Sequence, residues 1–250
     1  MKVIVIPDVH LKPWMFDSAA KIIERGDAER AVCLMDIPDD WLQGFNIDLY
    51  IETYDRAIDF HRRFPDTLWC YGNHDLSYVW HLQETGFSLF ALETVNFKLK
   101  ELENAVADKK QIAYIHRIDD VLFLHGGLND SFVRRHAADA DHNDADAVIE
   151  KINGLGARQM WDDASPIWYR PQIEAGQLYM QDSMLQVVGH TPVERITREG
   201  NVISCDVFST YRGGKPIGTQ EFPVIDTVTW DFRGIKADAR YNDRLRAERV

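Results

Sequence analysis

The sequence predicts an α/β fold, and three patterns carry that prediction. Two β-branched runs, residues 2–6 and 30–35, flank a stretch of helical spacing. Strand–helix–strand order implies a parallel pair with a right-handed crossover. A second amphipathic stretch, residues 49–64, leads through Pro65 into a third apolar run at residues 67–70. Further on, residues 111–116 and 121–124 flank the polar turn 117–120 and read as an antiparallel hairpin that opens a second group of strands.

The remaining elements follow from local signals. Residues 16–25 place Phe16, Ala19, Ala20, Ile22 and Ile23 on one helical face, with Asp17 or Ser18 as the cap and Gly26 as the stop. Residues 76–108 are expected to be largely helical, and His61 and His81 to be helix-surface histidines. Residues 129–183 are the least regular. Their acidic run from Asp139 to Asp146 lacks the Gly and closing Glu of a calcium loop and reads as a solvated helix start. Residues 184–188, 201–207 and 224–230 are strands, and residues 236–249 a charged surface helix. With 45% hydrophobic and 11% aromatic residues the chain can bury a sizeable core. No linker or repeat divides it, so residues 1–250 are expected to form one domain, with room for a cap or insert at 76–108 and 129–183.

Charge and cysteine usage narrow the function classes. A formal net charge of −12 argues against a broad nucleic-acid surface, so no nucleic-acid partner is expected. A local basic pocket for phosphate remains compatible with it. Cys33, Cys70 and Cys205 stand far apart with no CxxC spacing, which reads as buried reduced thiols in a cytoplasmic protein. The apolar run from Val3 to Ile6 is too short for a signal or a membrane span, and no membrane partner is expected. The sequence leaves the oligomeric state open.

Chemistry gathers at five strand ends: Asp8 with His10, Asp36, Asn73 with His74, His125, and His190. In an open α/β sheet these are the places where ligands bind. The donors are oxygen and nitrogen without thiolate, a set that suits Mn, Fe, Zn, Co or Ni better than calcium or an iron–sulfur centre. Six ligands exceed the four of a structural zinc site. They fit two ions about 3.5–4 Å apart that share one carboxylate. Gly72 is expected to let the chain turn sharply before Asn73, and Gly126-Gly127 to let the backbone approach something closely, such as a metal-bound phosphate.

Taken in order, Asp8-Val9-His10, Asp36-Ile37-Pro38-Asp39, Gly72-Asn73-His74-Asp75, His125-Gly126-Gly127 and Gly189-His190-Thr191-Pro192 resemble the calcineurin-like metallophosphoesterase superfamily. Within it they look most like the branch of Ser/Thr phosphoprotein phosphatases and symmetrical diadenosine tetraphosphatases. The segment 165–171 resembles that branch as well. The resemblance implies two packed mixed β-sheets flanked by helices, with two divalent transition-metal ions, manganese first among them, at one edge. It implies that Asp8 and His10 hold the first ion, that Asp36 bridges both, and that Asn73, His125 and His190 hold the second. His74, oriented by Asp39, would protonate the leaving oxygen, and Arg170, with Asn73, would bind substrate. A hydroxide bridging the metals would attack a phosphorylated substrate, either a phosphomonoester (phosphoprotein or small molecule) or a dinucleoside polyphosphate.

Four positions depart from the family pattern. Leu11 and Met35 stand where glycine is usual, Pro192 where some relatives carry a second His, and Asp40 where an Arg helps to hold phosphate. A carboxylate at position 40 would repel phosphate if it faced the substrate. The competing readings are a phosphodiesterase or nuclease, and a catalytically weak relative that binds metal as a binding module. The retained His74 and Asp39 pair speaks against the second, because a metal scaffold needs no proton donor.

Overall fold

The computed structural model describes residues 1–237. In chain order its elements are β1 (Lys2–Ile6), α1 (Trp14–Glu24), β2 (Arg30–Cys33), α2 (Ile47–Arg63), β3 (Leu68–Cys70), α3 (Asn73–Trp80) and α4 (Leu92–Ala105). The strands β4 (Ile112–Ala113), β5 (Ile115–Ile118) and β6 (Val121–Leu124) come next, then α5 (Asp130–His136), α6 (Ala145–Asn153) and α7 (Ala157–Met160). The described chain closes with β7 (Leu185–Val188), β8 (Thr197–Glu199), β9 (Val202–Ser204), β10 (Glu221–Asp226) and β11 (Phe232–Lys236).

These strands form two mixed sheets. The first has the order β11-β10-β1-β2-β3-β4 and the second β5-β6-β7-β9-β8. β1 through β4 run parallel, and so do β6, β7 and β9; antiparallel strands complete each sheet. The parallel strands are apolar on both faces because both faces are covered. Val3, Val5, Val32, Leu34 and Leu68 of the first sheet pack against Val121, Phe123, Leu185, Val187 and Ile203 of the second. Each such side chain, fully buried, contributes about 1.5–3 kcal/mol. Helices α1, α2 and α4 cover the outer face of the first sheet, and α5 and α6 that of the second. The result is the expected sandwich of two mixed sheets between helices.

Several local expectations change. The single strand expected over residues 111–116 is two: β4 pairs with β3 and β5 with β6, so the chain passes between the sheets at Tyr114. Asn153 Oδ1 accepts the backbone N–H groups of Tyr114 and Ile115 at 3.1 and 3.0 Å, which satisfies the crossing point. Helix α1 starts at Trp14 behind Pro13, so Asp17 lies in its first turn and caps nothing. The strand expected over residues 224–230 ends at Asp226, whose carboxylate accepts the N–H groups of Val228 and Thr229 and turns the chain into β11. His61 is buried rather than exposed, and its Nδ1 accepts Trp69 Nε1–H at 3.3 Å. Lys236 ends β11, and residues 238–249 of the expected C-terminal helix lie outside the described residues. All three cysteines are buried and unbridged. Among the described residues no helix is long and apolar enough to cross a membrane.

Candidate metal centre and cleft

Parallel strands deliver their C-terminal ends to one edge of each sheet, and the two edges meet. Asp8 follows β1, Asp36 follows β2, Asn73 opens α3 after β3, His125 follows β6 and His190 follows β7. Beyond β1 and β2 the two loops keep pairing: Val9 N–H donates to Met35 O, His10 N–H to Asp36 O and Leu11 N–H to Ile37 O, at 3.0, 2.8 and 3.0 Å. Asp8 and His10 therefore converge through a tight turn and not, as their spacing suggested, by alternation along an extended strand. His10, Leu11, Met35, Asp36 and His190 have φ of 42°, 55°, 51°, 43° and 60°. Leu11 and Met35 thus adopt the left-handed conformation for which glycine is usual, at about 1–2 kcal/mol each. Both are buried, and their packing offsets that strain.

The ligand-type side chains form two groups with one member in common. Single donor atoms of Asp8, His10 and Asp36 lie within 4.8 Å of one another, as do those of Asp36, His125 and His190. Asn73 Oδ1 joins the second group, 3.0 Å from His125 Nε2. Asp36 Oδ2 lies between the groups, 4.0 Å from His10 Nε2 and 3.2 Å from His125 Nε2. Its other oxygen accepts the backbone N–H of His74 at 2.9 Å. Two imidazoles are held by the nitrogen that faces away: His10 Nδ1–H donates to Asp39 O and His125 Nδ1–H to Leu34 O, each at 2.9 Å. That arrangement is typical of metal-binding histidines.

The donor set fits bound cations. His125 Nε2 faces Asn73 Oδ1, Asp36 Oδ2 and His190 Nδ1 at 3.0, 3.2 and 3.1 Å. A ring nitrogen carries at most one proton and cannot satisfy three neighbours. Asp8 Oδ2 is buried without a hydrogen-bond partner, a costly state for a carboxylate oxygen unless a cation meets it. Burial opposes the charge on Asp36, yet His125 and His74 beside it hold its carboxyl well below the usual range.

Two glycines make room for these carboxylates. A Cβ on Gly72 would lie 2.0 Å from Asp36 Oδ1, and one on Gly189 would lie 2.1 Å from Asp8 Oδ2. Gly72 has φ −95° and ψ 169°, a conformation open to any residue, so space and not turning is its contribution. Gly126 and Gly127 do permit a close approach, and the partner is protein backbone. They donate to Pro166 O and Tyr169 O at 2.7 and 2.8 Å, so the glycine pair admits the 165–171 segment instead of a phosphate. That docking brings Arg170 to the site, where its guanidinium donates to His190 O at 3.0 Å.

Beside the ligand groups His74 Nδ1–H donates to Asp39 Oδ2 at 2.9 Å. Asp39 Oδ1 accepts the hydroxyls of Tyr50 and Tyr78. Burial lowers the His74 pKa, and the charge of Asp36 followed by the Asp39 hydrogen bond outweighs it, raising the imidazole to about 9. Asp40 is engaged elsewhere. Its carboxylate pairs with the buried Lys12 at 3.5 Å and accepts Thr210 Oγ1–H and Trp41 N–H at 3.0 and 2.8 Å. A cleft of about 420 Å³ opens over the site, lined among others by His10, Asp36, Asn73, His74, Arg170 and His190.

Sequence reasoning overlooked two carboxylates. Asp75 is fully buried; it accepts the N–H groups of Asp36, Ile37 and Gly72 at 2.8, 3.1 and 3.1 Å and so ties the Asp36 loop to the Asn73 turn. Asp206 follows β9, the sixth strand end at this edge, and lines the cleft. Burial raises its carboxyl, against the pull of His10 and Ser209. Its position after a buried strand, like those of Asp8 and Asp36, was the available signal.

The fold has known counterparts. A cold-active protein-tyrosine phosphatase from a psychrophilic Shewanella species shares 16% identity over 94% of this chain and 80% of its own, with a TM-score of 0.54. A metallophosphoesterase from Sphaerobacter thermophilus shares 13% identity over 100% of this chain and 94% of its own, with a TM-score of 0.45. Among curated proteins none matches this chain. The family model of the calcineurin-like phosphoesterases matches residues 1–214. With that match spanning most of its length, the chain belongs to the calcineurin-like phosphoesterase family and is a metal-dependent hydrolase of phosphoric esters.

Proposed function

We propose that this protein hydrolyses a phosphoester at a pair of divalent ions, with His74 as the proton donor. The observation that carries the reading is the position of Asp36 Oδ2 between His10 Nε2 and His125 Nε2. Asp8, His10 and Asp36 would hold one ion; Asp36, Asn73, His125 and His190 would hold the other. Oxygen and nitrogen donors without thiolate suit manganese, iron, zinc, cobalt or nickel, and the family resemblance puts manganese first among them. Such ions supply Lewis acidity toward phosphoryl oxygens and lower the pKa of the attacking water.

The chain's own residues do the rest. Asp39 holds the imidazole of His74 through Nδ1, which leaves Nε2 to carry the proton for the departing oxygen. Tyr50 and Tyr78 fix Asp39 in turn. Arg170, anchored on the His190 carbonyl, sits in the cleft and brings fixed positive charge to the substrate phosphate. Segments 76–108 and 129–183 deliver Gly86 and Arg170 to the cleft lining, which supports reading them as walls of one domain. The buried, unbridged cysteines support a reducing compartment, the cytoplasm. The test is a substrate panel with manganese-reconstituted protein: para-nitrophenyl phosphate, its bis ester, diadenosine tetraphosphate and a phosphopeptide. Metal-dependent turnover of at least one supports the reading; no turnover of any would overturn it.

A further inference from the structure

The cleft has two unlike sides. Arg170 rests on the His190 carbonyl at one of them. At the other, a Cβ on Gly86 would lie 3.4 Å from Asp39 Cβ and 3.7 Å from His74 Cε1, so the loop around Gly86 lies against the proton donor. Trp41, Leu42, Gly44, Glu84 and Thr85 line the cleft as well. Gly44 O accepts Ser88 Oγ–H, and the Phe45 and Phe90 rings pack with centroids 4.5 Å apart, so the 41–45 and 84–90 loops form one rim.

This rim is apolar and open to solvent. Of eleven exposed large hydrophobic side chains among the described residues, five belong to it: Trp41, Leu42, Phe45, Leu89 and Phe90. Leu42 and Phe45 are 78% and 76% exposed. Scattered exposed apolar residues need no explanation, but a cluster continuous with a catalytic cleft marks a binding surface. Trp41 is fixed from both ends: its Nε1–H donates to Thr210 O at 2.8 Å and its backbone N–H to Asp40 Oδ1. A ring held this way is a preorganised platform. Among the described residues the charges on this side are Glu84 and the Asp40 carboxylate, which Lys12 already pairs.

We propose that this rim is the leaving-group subsite and that it takes an uncharged, bulky aryl group, so the substrate is an aryl phosphomonoester rather than a dinucleoside polyphosphate. The inference rests on the reading of His74 as proton donor. In the step, water adds to phosphorus, the bond from phosphorus to the aryl oxygen breaks, and the His74 proton goes to that oxygen. The products are a neutral phenol and inorganic phosphate. The phenol therefore departs from the side on which His74 and the Gly86 loop lie, into the cleft that Trp41 and Leu42 also line. A nucleoside polyphosphate leaving there would bring several negative charges against Glu84, with no unpaired cation lining that side among the described residues.

Steady-state kinetics of the manganese-reconstituted full chain tests this with phenyl phosphate, 2-naphthyl phosphate and diadenosine tetraphosphate. The two aryl esters release phenols of similar acidity and differ in apolar size. The expected kcat/KM for the naphthyl ester exceeds that for the phenyl ester about tenfold, the scale of added apolar contact in a pocket. Trp41→Ala and Leu42→Asn should each bring that ratio below about threefold, while Phe97→Ser, at an exposed position of α4 outside the cleft lining, should leave it unchanged. Diadenosine tetraphosphate should be at least about a hundredfold poorer than the naphthyl ester. A ratio near one in the parent protein, or one that survives both rim variants while phenyl phosphate still turns over, overturns the subsite. Turnover of diadenosine tetraphosphate without either aryl ester overturns this inference alone; absence of turnover of all three substrates overturns the functional reading and this inference with it.

Discussion

His74 Nδ1 and Asp39 Oδ2 stand 2.9 Å apart, in a pair whose carboxylate is also held by Tyr50 and Tyr78. In the proposed mechanism the pair leaves Nε2 as the nitrogen that carries the mobile proton. His74→Asn should therefore lower turnover by about 10²–10⁴-fold, the usual scale of general-acid catalysis. The loss should be larger for alkyl phosphates than for para-nitrophenyl phosphate, whose leaving group needs little protonation. Metal content, read by elemental analysis, should stay near that of the parent. Equal losses for both substrate classes would assign His74 another task.

Gly189 and Asp8 make a second kind of contact, one that depends on a missing side chain. A methyl group on Gly189 would collide with Asp8 Oδ2 and displace it, and one on Gly72 would do the same to Asp36 Oδ1. Each variant should weaken metal binding about 10–100-fold, the scale seen when the support of a metal ligand is disturbed. Because Asp36 belongs to both ligand groups, Gly72→Ala should weaken both ions and Gly189→Ala mainly one. Titration calorimetry with manganese separates the two outcomes.

Asp40 ties the loop after β2 to Lys12 and Thr210. Asp40→Arg places like charge against the buried Lys12 ammonium and removes the acceptor of Thr210. We expect a loss of about 1–3 kcal/mol in urea unfolding, and no gain in phosphate affinity. An unchanged stability with improved kcat/KM for monoesters would mean that Asp40 does face the substrate.

His116, on β5, lies between the sheets, where its Nε2–H donates to Trp69 O at 3.0 Å. Burial lowers its pKa from 6.5 to about 4. Between those values the unfolded chain binds a proton that the folded chain does not, so this contribution to stability is complete above pH 6.5 and fades as pH falls toward 4. The gap corresponds to about 3 kcal/mol. His116→Gln should flatten the stability profile over that window by roughly this amount while leaving metal binding intact. Urea unfolding of both proteins at a series of pH values reads it directly.

Much of this arrangement was legible in the chain. Short apolar runs ending in Asp8, Asp36, Asn73, His125 and His190 announced strand ends because a buried strand must stop where a polar ligand begins. What stayed hidden depends on partners distant in sequence. Lys12 reads as a surface cation until Asp40 is beside it. Asp75 reads as the tail of a motif until three backbone N–H groups converge on it. The single run at residues 111–116 gave no sign that Tyr114 leaves one sheet for the other, since both halves are equally apolar. The rim of Trp41, Phe45 and Phe90 joins two loops about forty residues apart, which periodicity cannot register.

The most direct measurement of the central claim is manganese titration of metal-stripped protein, with bound ion and phosphomonoester turnover read on the same samples. Two ions sharing Asp36 predict that turnover rises with the second equivalent and levels off at two ions per chain, and that Asp36→Asn weakens both binding events. Full turnover at one ion per chain, or an Asp36→Asn protein that still binds two ions with parental affinity, would contradict it.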